Sequence, residues 1–256
     1  MSNPFLPNFL TALPDASVPV WAIAVAAVCA YFIGNINPAI LLGRAAGVDI
    51  RSQGSGNAGT TNAIRSLGKK AGAITFAIDV VKGWAVFFFA DYVFFSIMLN
   101  TDDNIKKFLS SSGRYLNETA ALSVGVYAVA LLCGLCVVLG HMFPAVFGFR
   151  GGKGVATAFG VLLGANWIFA LVILAVFAVC FVIFRRVSLS VLIVSALALV
   201  LCFTQAGGIA SRVDALWLVI LLALIIWKHR ANIERLVKGT EPKLSFGGKD
   251  KAGAGE

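Results

Sequence analysis

Hydrophobic positions along this chain fall in long unbroken blocks rather than in the alternation of a half-buried strand. Residues 120–149, 154–184 and 187–211 contain no Asp, Glu, Lys or Arg. About 20 apolar residues carry a helix across the hydrocarbon core of a bilayer, so such blocks predict membrane-spanning helices. The first span, 20–46, is interrupted by Gly34-Asn35-Ile36-Asn37-Pro38. A second covers 71–97 and a third 120–147. The run 154–184 is too long for one comfortable crossing and short for two. Gly164-Ala165-Asn166 sits where a turn is wanted, which predicts a short helix over 154–164 followed by a full one. Spans 187–205 and 211–227 complete an all-α polytopic membrane protein with seven transmembrane helices, one of them short.

Charge then sets the expected orientation. With the N-terminus outside, sixteen basic residues fall on the cytoplasmic side and four outside, with Lys82 left within a helix. Reading 154–184 as one span would send Arg185, Arg186 and the basic tail outward. The positive-inside rule therefore favours seven helices and a cytoplasmic C-terminus. The predicted organisation is a lead-in over 1–17, a single membrane-embedded domain over 18–244 with an external polar loop at 99–118, and a flexible tail over 245–256. No Lys or Arg precedes Arg44, so a cleavable signal peptide is not expected.

Composition narrows the class. The chain is 59% hydrophobic and 13% charged, against about 45–50% and about 25% in soluble domains. This excludes a secreted disulfide scaffold, a disordered chain and a soluble dinucleotide-binding enzyme. The net charge of +9 reads first as orientation. A nucleic-acid partner is not expected, because aromatic residues are not interleaved with the basic ones. Cys29, Cys133, Cys136, Cys180 and Cys202 all lie in apolar runs and read as packing residues. No metal-ligand cluster stands out, so neither metal nor cofactor is expected, and activity should be insensitive to EDTA.

Three clusters carry candidate chemistry, all on the expected cytoplasmic face. The first is Gly54-Ser55-Gly56-Asn57-Ala58-Gly59-Thr60-Thr61-Asn62, then Arg65. Alternating glycines let backbone amides approach an anion, and Arg65 adds a planar fork for phosphate or carboxylate. The second is Gly140-His141-Met142-Phe143-Pro144, then Arg150-Gly151-Gly152-Lys153-Gly154-Val155-Ala156-Thr157. A basic glycine loop opening a helix is an anion-binding arrangement. It lacks Walker A spacing, so a nucleotide is not implied. The third is Lys228-His229-Arg230-Ala231-Asn232 running to Gly239-Thr240-Glu241, the expected exit of the last helix from the membrane. His229 and Asn232, at i and i+3, share a face there. Asp79 and Lys82 sit within the second span at the same spacing, either as an ion pair or with Lys82 reaching back to the cytoplasmic interface. His229…Glu234 mimics an H-x-x-x-x-D acyltransferase signature, but at i, i+5 the two side chains diverge on a helix. Glu234 is expected to pair with Arg230 or Lys238.

The stretches G-S-G-N-A-G-T-T-N-A-I-R (54–65), D-V-V-K-G (79–83), G-H-M-F-P…F-R-G-G-K-G-V-A-T (140–157) and H-R-A-N-I-E-R-L-V-K-G-T-E (229–241) resemble the PlsY family of bacterial acyl-phosphate:glycerol-3-phosphate acyltransferases. The resemblance covers residues 18–244 apart from the loop 99–118. It implies transfer of an acyl chain from acyl phosphate to the 1-hydroxyl of glycerol 3-phosphate, giving lysophosphatidic acid and phosphate in phospholipid biosynthesis. It also implies a multi-pass protein of the bacterial plasma (inner) membrane with its active site on the cytoplasmic face. By position in the motifs, Ser55, Arg65, Lys153, His229 and Asn232 match the family's functional residues. Gly54, Gly56, Asn57, Thr61, Asn62, Asp79, Lys82, His141, Arg150, Gly151, Gly152, Gly154, Thr157 and Ser188 are the expected substrate-binding set. The implied partners are glycerol 3-phosphate, long-chain acyl phosphate and membrane lipids.

The residue chemistry suits that reaction. Two phosphates call for several cations and amide nests, and acyl phosphate already carries a good leaving group. Direct attack by the substrate hydroxyl is expected, with a substrate phosphate or His229 taking the proton. A Ser55 nucleophile is disfavoured because no histidine adjoins it in sequence. The rival from another class is a carrier or flippase for a phosphorylated solute or lipid, but the motifs lie on one side only, whereas alternating access needs gating groups at both faces.

Overall fold

The computed structural model describes residues 19–101, 116–203 and 212–244. The expected lead-in 1–17, most of the loop 99–118, the tail 245–256 and the side chain of Cys202 lie outside the described residues. Everything described is helix or connection, with no strand among the described residues. Four helical segments are long and apolar enough to cross a bilayer: Val20–Ala45, Lys69–Ile97, Gly125–Phe147 and Trp167–Phe184. Ala215–Lys228 with Arg230–Val237 makes a fifth across a 61° bend, and Val155–Ala165 and Val187–Leu201 are shorter apolar helices.

In chain order, α1 (Val20–Asn35) and α2 (Pro38–Ala45) flank the predicted break. Asn37 organises that break. Its side-chain oxygen caps α2 at the Ile40 amide, 3.1 Å away, and its amide donates to the Ala58 carbonyl at 3.1 Å. A helix absent from the sequence expectation follows, α3 (Thr60–Leu67), before α4 (Lys69–Thr101). Beyond them lie α5 (Leu116–Met142), α6 (Val155–Ala165) and α7 (Trp167–Phe184). Asn166 separates α6 from α7, its side chain capping the Phe169 amide at 2.9 Å. The bundle closes with α8 (Val187–Phe203), α9 (Arg212–Lys228) and α10 (Arg230–Val237).

Helix crossings depend on glycine where backbones touch, the way membrane helices approach closely without a hydrophobic drive between them. A Cβ on Gly34 would meet the Val137 carbonyl, and one on Gly140 the Tyr31 carbonyl, so α1 and α5 pack backbone to backbone. Gly83 on α4 and Gly160 on α6 do the same, against the carbonyls of Thr157 and Val80. Phe87, Val137, Val161, Phe169, Val191 and Leu221 belong to the core between the helices. Trp21, Phe89, Ile168 and Val182 are exposed on the outside, a surface suited to lipid. Cys133 is buried in the core, and Cys29, Cys136 and Cys180 are likewise free thiols.

One expectation fails at the last helix. It is not one continuous helix: α9 ends at Lys228 and α10 leaves at 61°. His229 at the bend has φ −96° and ψ 4°, outside the helical well, and sits at the N-cap position of α10 without a side-chain capping bond. His229 and Asn232 therefore do not owe their proximity to a shared helix face.

Candidate active site

The turn after α2, the loop before α6, the α7–α8 junction and the α9–α10 bend converge on one cavity of about 420 Å³. Its polar end is lined by Ser55, Asn57, Thr61, Arg65, Asp79, His141, Lys153, Gly154, Ser188, His229 and Asn232, all singled out in the sequence. From there it continues between α6, α7, α8 and α9 along Phe159, Phe177, Val191, Val194, Leu218 and Leu221. One space thus joins a cationic mouth to an apolar shaft.

The first glycine cluster is shaped from inside by Asn62. This fully buried residue accepts from the Ser55 amide at 2.9 Å and donates to the carbonyls of Ile50 and Gln53, both at 2.9 Å. Gly54 (φ +56°) passes so close to the Asn62 side-chain oxygen that a Cβ there would collide with it. Asn62, Gly54 and Gly56 do not line the cavity but shape the loop that does. Ser55, Asn57, Thr61 and Arg65 are the loop's contribution to the cavity. Arg65 donates to the Pro242 carbonyl at 3.2 Å, tying the loop to the strap that follows α10.

Of the two placements expected for Lys82, the structure has the ion pair with Asp79. Lys82 does not reach back to an interface or offer its charge to the cavity. Its ammonium, 2.7 Å from Asp79 Oδ1, donates to the Ile36 carbonyl at 2.7 Å and the Gly34 carbonyl at 3.4 Å. It also lies 2.9 Å from His141 Nδ1, which is 3.2 Å from Asp79 Oδ1. The carbonyls freed at the α1–α2 break would be orphaned acceptors in hydrocarbon, and Lys82 satisfies them. A buried ammonium needs a carboxylate, and Asp79 supplies it.

The second glycine loop rests on this cluster. The Gly152 amide donates to the His141 carbonyl at 3.1 Å, and a Cβ on Gly152 would strike His141 Nε2. A Cβ on Gly151 would meet the His141 carbonyl. These two glycines therefore serve close packing on His141, and the Gly152 amide points inward rather than toward an anion. Gly154 (φ +75°) begins α6 without a side-chain cap, leaving that helix start available to a negative group. Arg150 is exposed and Thr157 fully buried, and neither lines the cavity.

The third cluster centres on Glu241, to which the sequence reading gave no role. Glu241 accepts from Ser188 Oγ at 2.6 Å, Asn232 Nδ2 at 2.6 Å and Arg235 Nε at 2.8 Å. A carboxylate only accepts, so it fixes the Asn232 amide with its oxygen turned the other way, onto Lys153 Nζ. Burial opposes ionisation of Glu241, yet the bonds from Ser188, Asn232 and Arg235 outweigh it and hold the carboxyl below its usual range. The available sequence signal was a lone acid, Thr240-Glu241, shortly after a basic helix. Glu234 pairs with Lys238 at 2.6 Å, as expected.

Electrostatics follow from burial. Lys153 is lowered to about 8 by desolvation, partly offset by Glu241 and deepened by Arg235, Arg65 and Lys228. His229 is lowered to about 4, first by burial and then by the Lys153 charge. It is therefore neutral at physiological pH. Its Nδ1 lies 2.8 Å from the Ile225 carbonyl, which can only accept, so Nδ1 carries the proton and Nε2 the lone pair.

Comparison with known proteins gives a consistent result. A family profile described as glycerol-3-phosphate acyltransferase matches residues 24–239. A glycerol-3-phosphate acyltransferase of Clostridioides difficile (strain 630) is 39% identical over 229 residues, covering 88% of this chain and 97% of the relative. One from Alkaliphilus metalliredigens (strain QYMF) is 35% identical, covering 85% and 93%. Among solved structures, PlsY, an integral membrane glycerol 3-phosphate acyltransferase, superimposes in its glycerol 3-phosphate form with a TM-score of 0.69. It has 32% identity, covering 88% of this chain and 96% of that one, and its lysophosphatidic acid form gives a TM-score of 0.67.

Proposed function

This chain belongs to the glycerol-3-phosphate acyltransferase family and is a membrane enzyme of that activity, and from that premise we propose that its acyl donor is acyl phosphate and its acceptor the 1-hydroxyl of glycerol 3-phosphate. The products are lysophosphatidic acid and phosphate. The observation that carries this reading is the single cavity with Arg65 and Lys153 at its mouth and an apolar shaft behind them. A phosphorylated donor with a fatty tail fits both ends at once. The glycerol 3-phosphate and lysophosphatidic acid forms of the solved relative supply the same acceptor and product chemistry.

In the proposed reaction the hydroxyl oxygen attacks the acyl carbon, the carbon–oxygen bond to phosphate breaks, and phosphate leaves with the electron pair. The hydroxyl proton passes to a phosphate oxygen. Arg65 holds phosphate through its planar fork, and Lys153, oriented by Asn232, neutralises charge that grows on the leaving group. His229 Nε2 accepts from the attacking hydroxyl and orients it. Ser55 binds substrate as a hydrogen-bonding group and forms no covalent intermediate. Asn57, Thr61 and the start of α6 at Gly154 complete the anion site.

The topology proposed with this reading is seven helices in one domain over 18–244, N-terminus outside, in the bacterial inner membrane. Arg65, Lys153 and His229 then face the cytoplasm, from which the water-soluble glycerol 3-phosphate would enter. The test is to supply purified enzyme with labelled glycerol 3-phosphate and either acyl phosphate or an acyl thioester of the same chain. Lysophosphatidate from the phosphate donor alone supports the proposal; product from the thioester alone overturns it. For His229, a His229→Gln variant with kcat near wild type and raised KM supports orientation, and loss of kcat by 100-fold or more would make it the base.

A further inference from the structure

The shaft of the cavity ends at one level. Its deepest lining residues on α7, α8 and α9 are Ile173, Ala198 and Trp217. Ile173 precedes the end of α7 at Phe184 by 11 residues, Ala198 follows the start of α8 at Val187 by 11, and Trp217 precedes the end of α9 at Lys228 by 11. At about 1.5 Å rise per residue, all three lie roughly 16 Å from the helix ends that carry the polar mouth. Each is also buried in the hydrophobic core, at 8%, 6% and 6% exposure respectively, so the shaft meets packed side chains there. Three helices reaching the same depth by the same count describe a floor, with the Trp217 indole its bulkiest component.

Resting on the acyl-transfer reading above, we infer that Trp217, with Ala198 and Ile173, sets the length of acyl chain the enzyme accepts. Carbon–carbon bonds of about 1.5 Å at about 111° advance an extended chain by about 1.25 Å per carbon. A depth of roughly 16 Å therefore takes about 13 carbons beyond the carbonyl. With the carbonyl at the level of Lys153 and Asn232, a saturated chain of about 14 carbons fills the shaft, and further methylenes press on Trp217. Leu174 and Phe76, 39% and 41% exposed on the cavity wall, mark sideways courses: a chain leaving past either would never reach the floor.

The experiment measures kcat/KM of purified enzyme in detergent for saturated acyl phosphates of about ten to eighteen carbons, with glycerol 3-phosphate constant. Wild type should peak near 14. Trp217→Ala should move the peak longer by two or more carbons, and Ala198→Phe should move it shorter by a similar step. KM for glycerol 3-phosphate should stay constant in both, because neither residue is near the mouth. Thermal melting of each variant separates misfolding from altered selectivity, and Trp217→Phe gives an intermediate floor if Trp217→Ala fails to fold. An unchanged length profile in folded variants that move the floor in both directions overturns the inference while leaving the acyltransferase reading intact. Absence of product from wild type with every acyl phosphate overturns the reading on which the inference rests.

Discussion

Removing the Glu241 carboxylate and replacing it by an amide should have very different consequences. In Glu241→Ala, Ser188 Oγ and Asn232 Nδ2 lose their common acceptor inside a protein, both residues being buried. Each stranded buried donor costs about 1–3 kcal/mol, so the variant should lose roughly 2–6 kcal/mol of stability. Asn232 is then free to rotate its oxygen off Lys153. One charge-assisted bond is worth about 1.5–3 kcal/mol, which corresponds to a loss in kcat/KM of roughly 10–100-fold. In Glu241→Gln the amide oxygen can keep both Ser188 and Asn232, because both bonds use the same oxygen, Oε1. Only Arg235, on Oε2, faces an NH2 group and must move. Its side chain is 34% exposed, so that loss is screened and costs about 1 kcal/mol or less. Steady-state kinetics with acyl phosphate, alongside thermal melting, should therefore rank wild type, Gln and Ala in that order, with Gln within about tenfold of wild type. Equal damage from Gln and Ala would refute the positioning argument, since the negative charge itself, not the orientation of Asn232, would then be the requirement.

Lys153 predicts an alkaline limb. Its ammonium is protonated below about 8, so kcat/KM should fall above that pH as the cation is lost, and Lys153→Arg should move the limb out of range. The same depression has a stability sign. The folded pKa lies below the unfolded value of about 10.4, so folding disfavours the cation, and stability should rise with pH between about 8 and about 10.4. Lys153→Met should accordingly melt no lower than wild type while losing activity, a combination that differential scanning and turnover assays detect together. Gly152→Ala should reduce activity by more than about tenfold by driving a methyl into His141. Gly148→Ala, at φ +66° with open space around it, should cost about 1 kcal/mol of stability and leave turnover unchanged. Asp79→Asn strands the buried Lys82 ammonium and should destabilise the protein by about 3–5 kcal/mol, read as a lowered melting temperature.

Most of the helical layout was legible because hydrocarbon imposes one rule, a long apolar run per crossing, and because breaks carry their own residues. Asn37-Pro38 and Asn166 are capping signals, and each caps the helix it precedes. The α9–α10 bend was not legible, since Trp227-Lys228-His229-Arg230 contains neither proline nor glycine. It is fixed by tertiary partners: Lys228 donates to the Met142 carbonyl at 2.7 Å and lies over the Phe143 ring, and Asn232 is held by Glu241. α3 was missed for a different reason: the glycines just before it and its own hydroxyl residues read as a loop, and Asn62 turns that loop back on itself only through the carbonyls of Ile50 and Gln53.

The site was legible as a list of residues and less so as a set of roles. Residue type identified cations and glycines suited to phosphate, and Arg65 and Lys153 do line one cavity. Residue type could not distinguish a glycine that exposes its amide from one that makes room for His141, or a lysine that meets a ligand from one that satisfies a helix break. Those distinctions depend on what lies opposite across the bundle. Glu241 is the clearest case, because a lone acid after a basic helix says nothing of its role, which arises from Ser188, Asn232 and Arg235 meeting at one carboxylate.

The most direct test of the account is a single-turnover experiment with enzyme in excess over acyl-labelled acyl phosphate, quenched on the timescale of one turnover in the presence of glycerol 3-phosphate. The account predicts that label passes from donor to lysophosphatidate with an equal release of phosphate and none bound to protein at any time. Label appearing on the protein, at Ser55 or elsewhere, and decaying as product forms would contradict direct transfer.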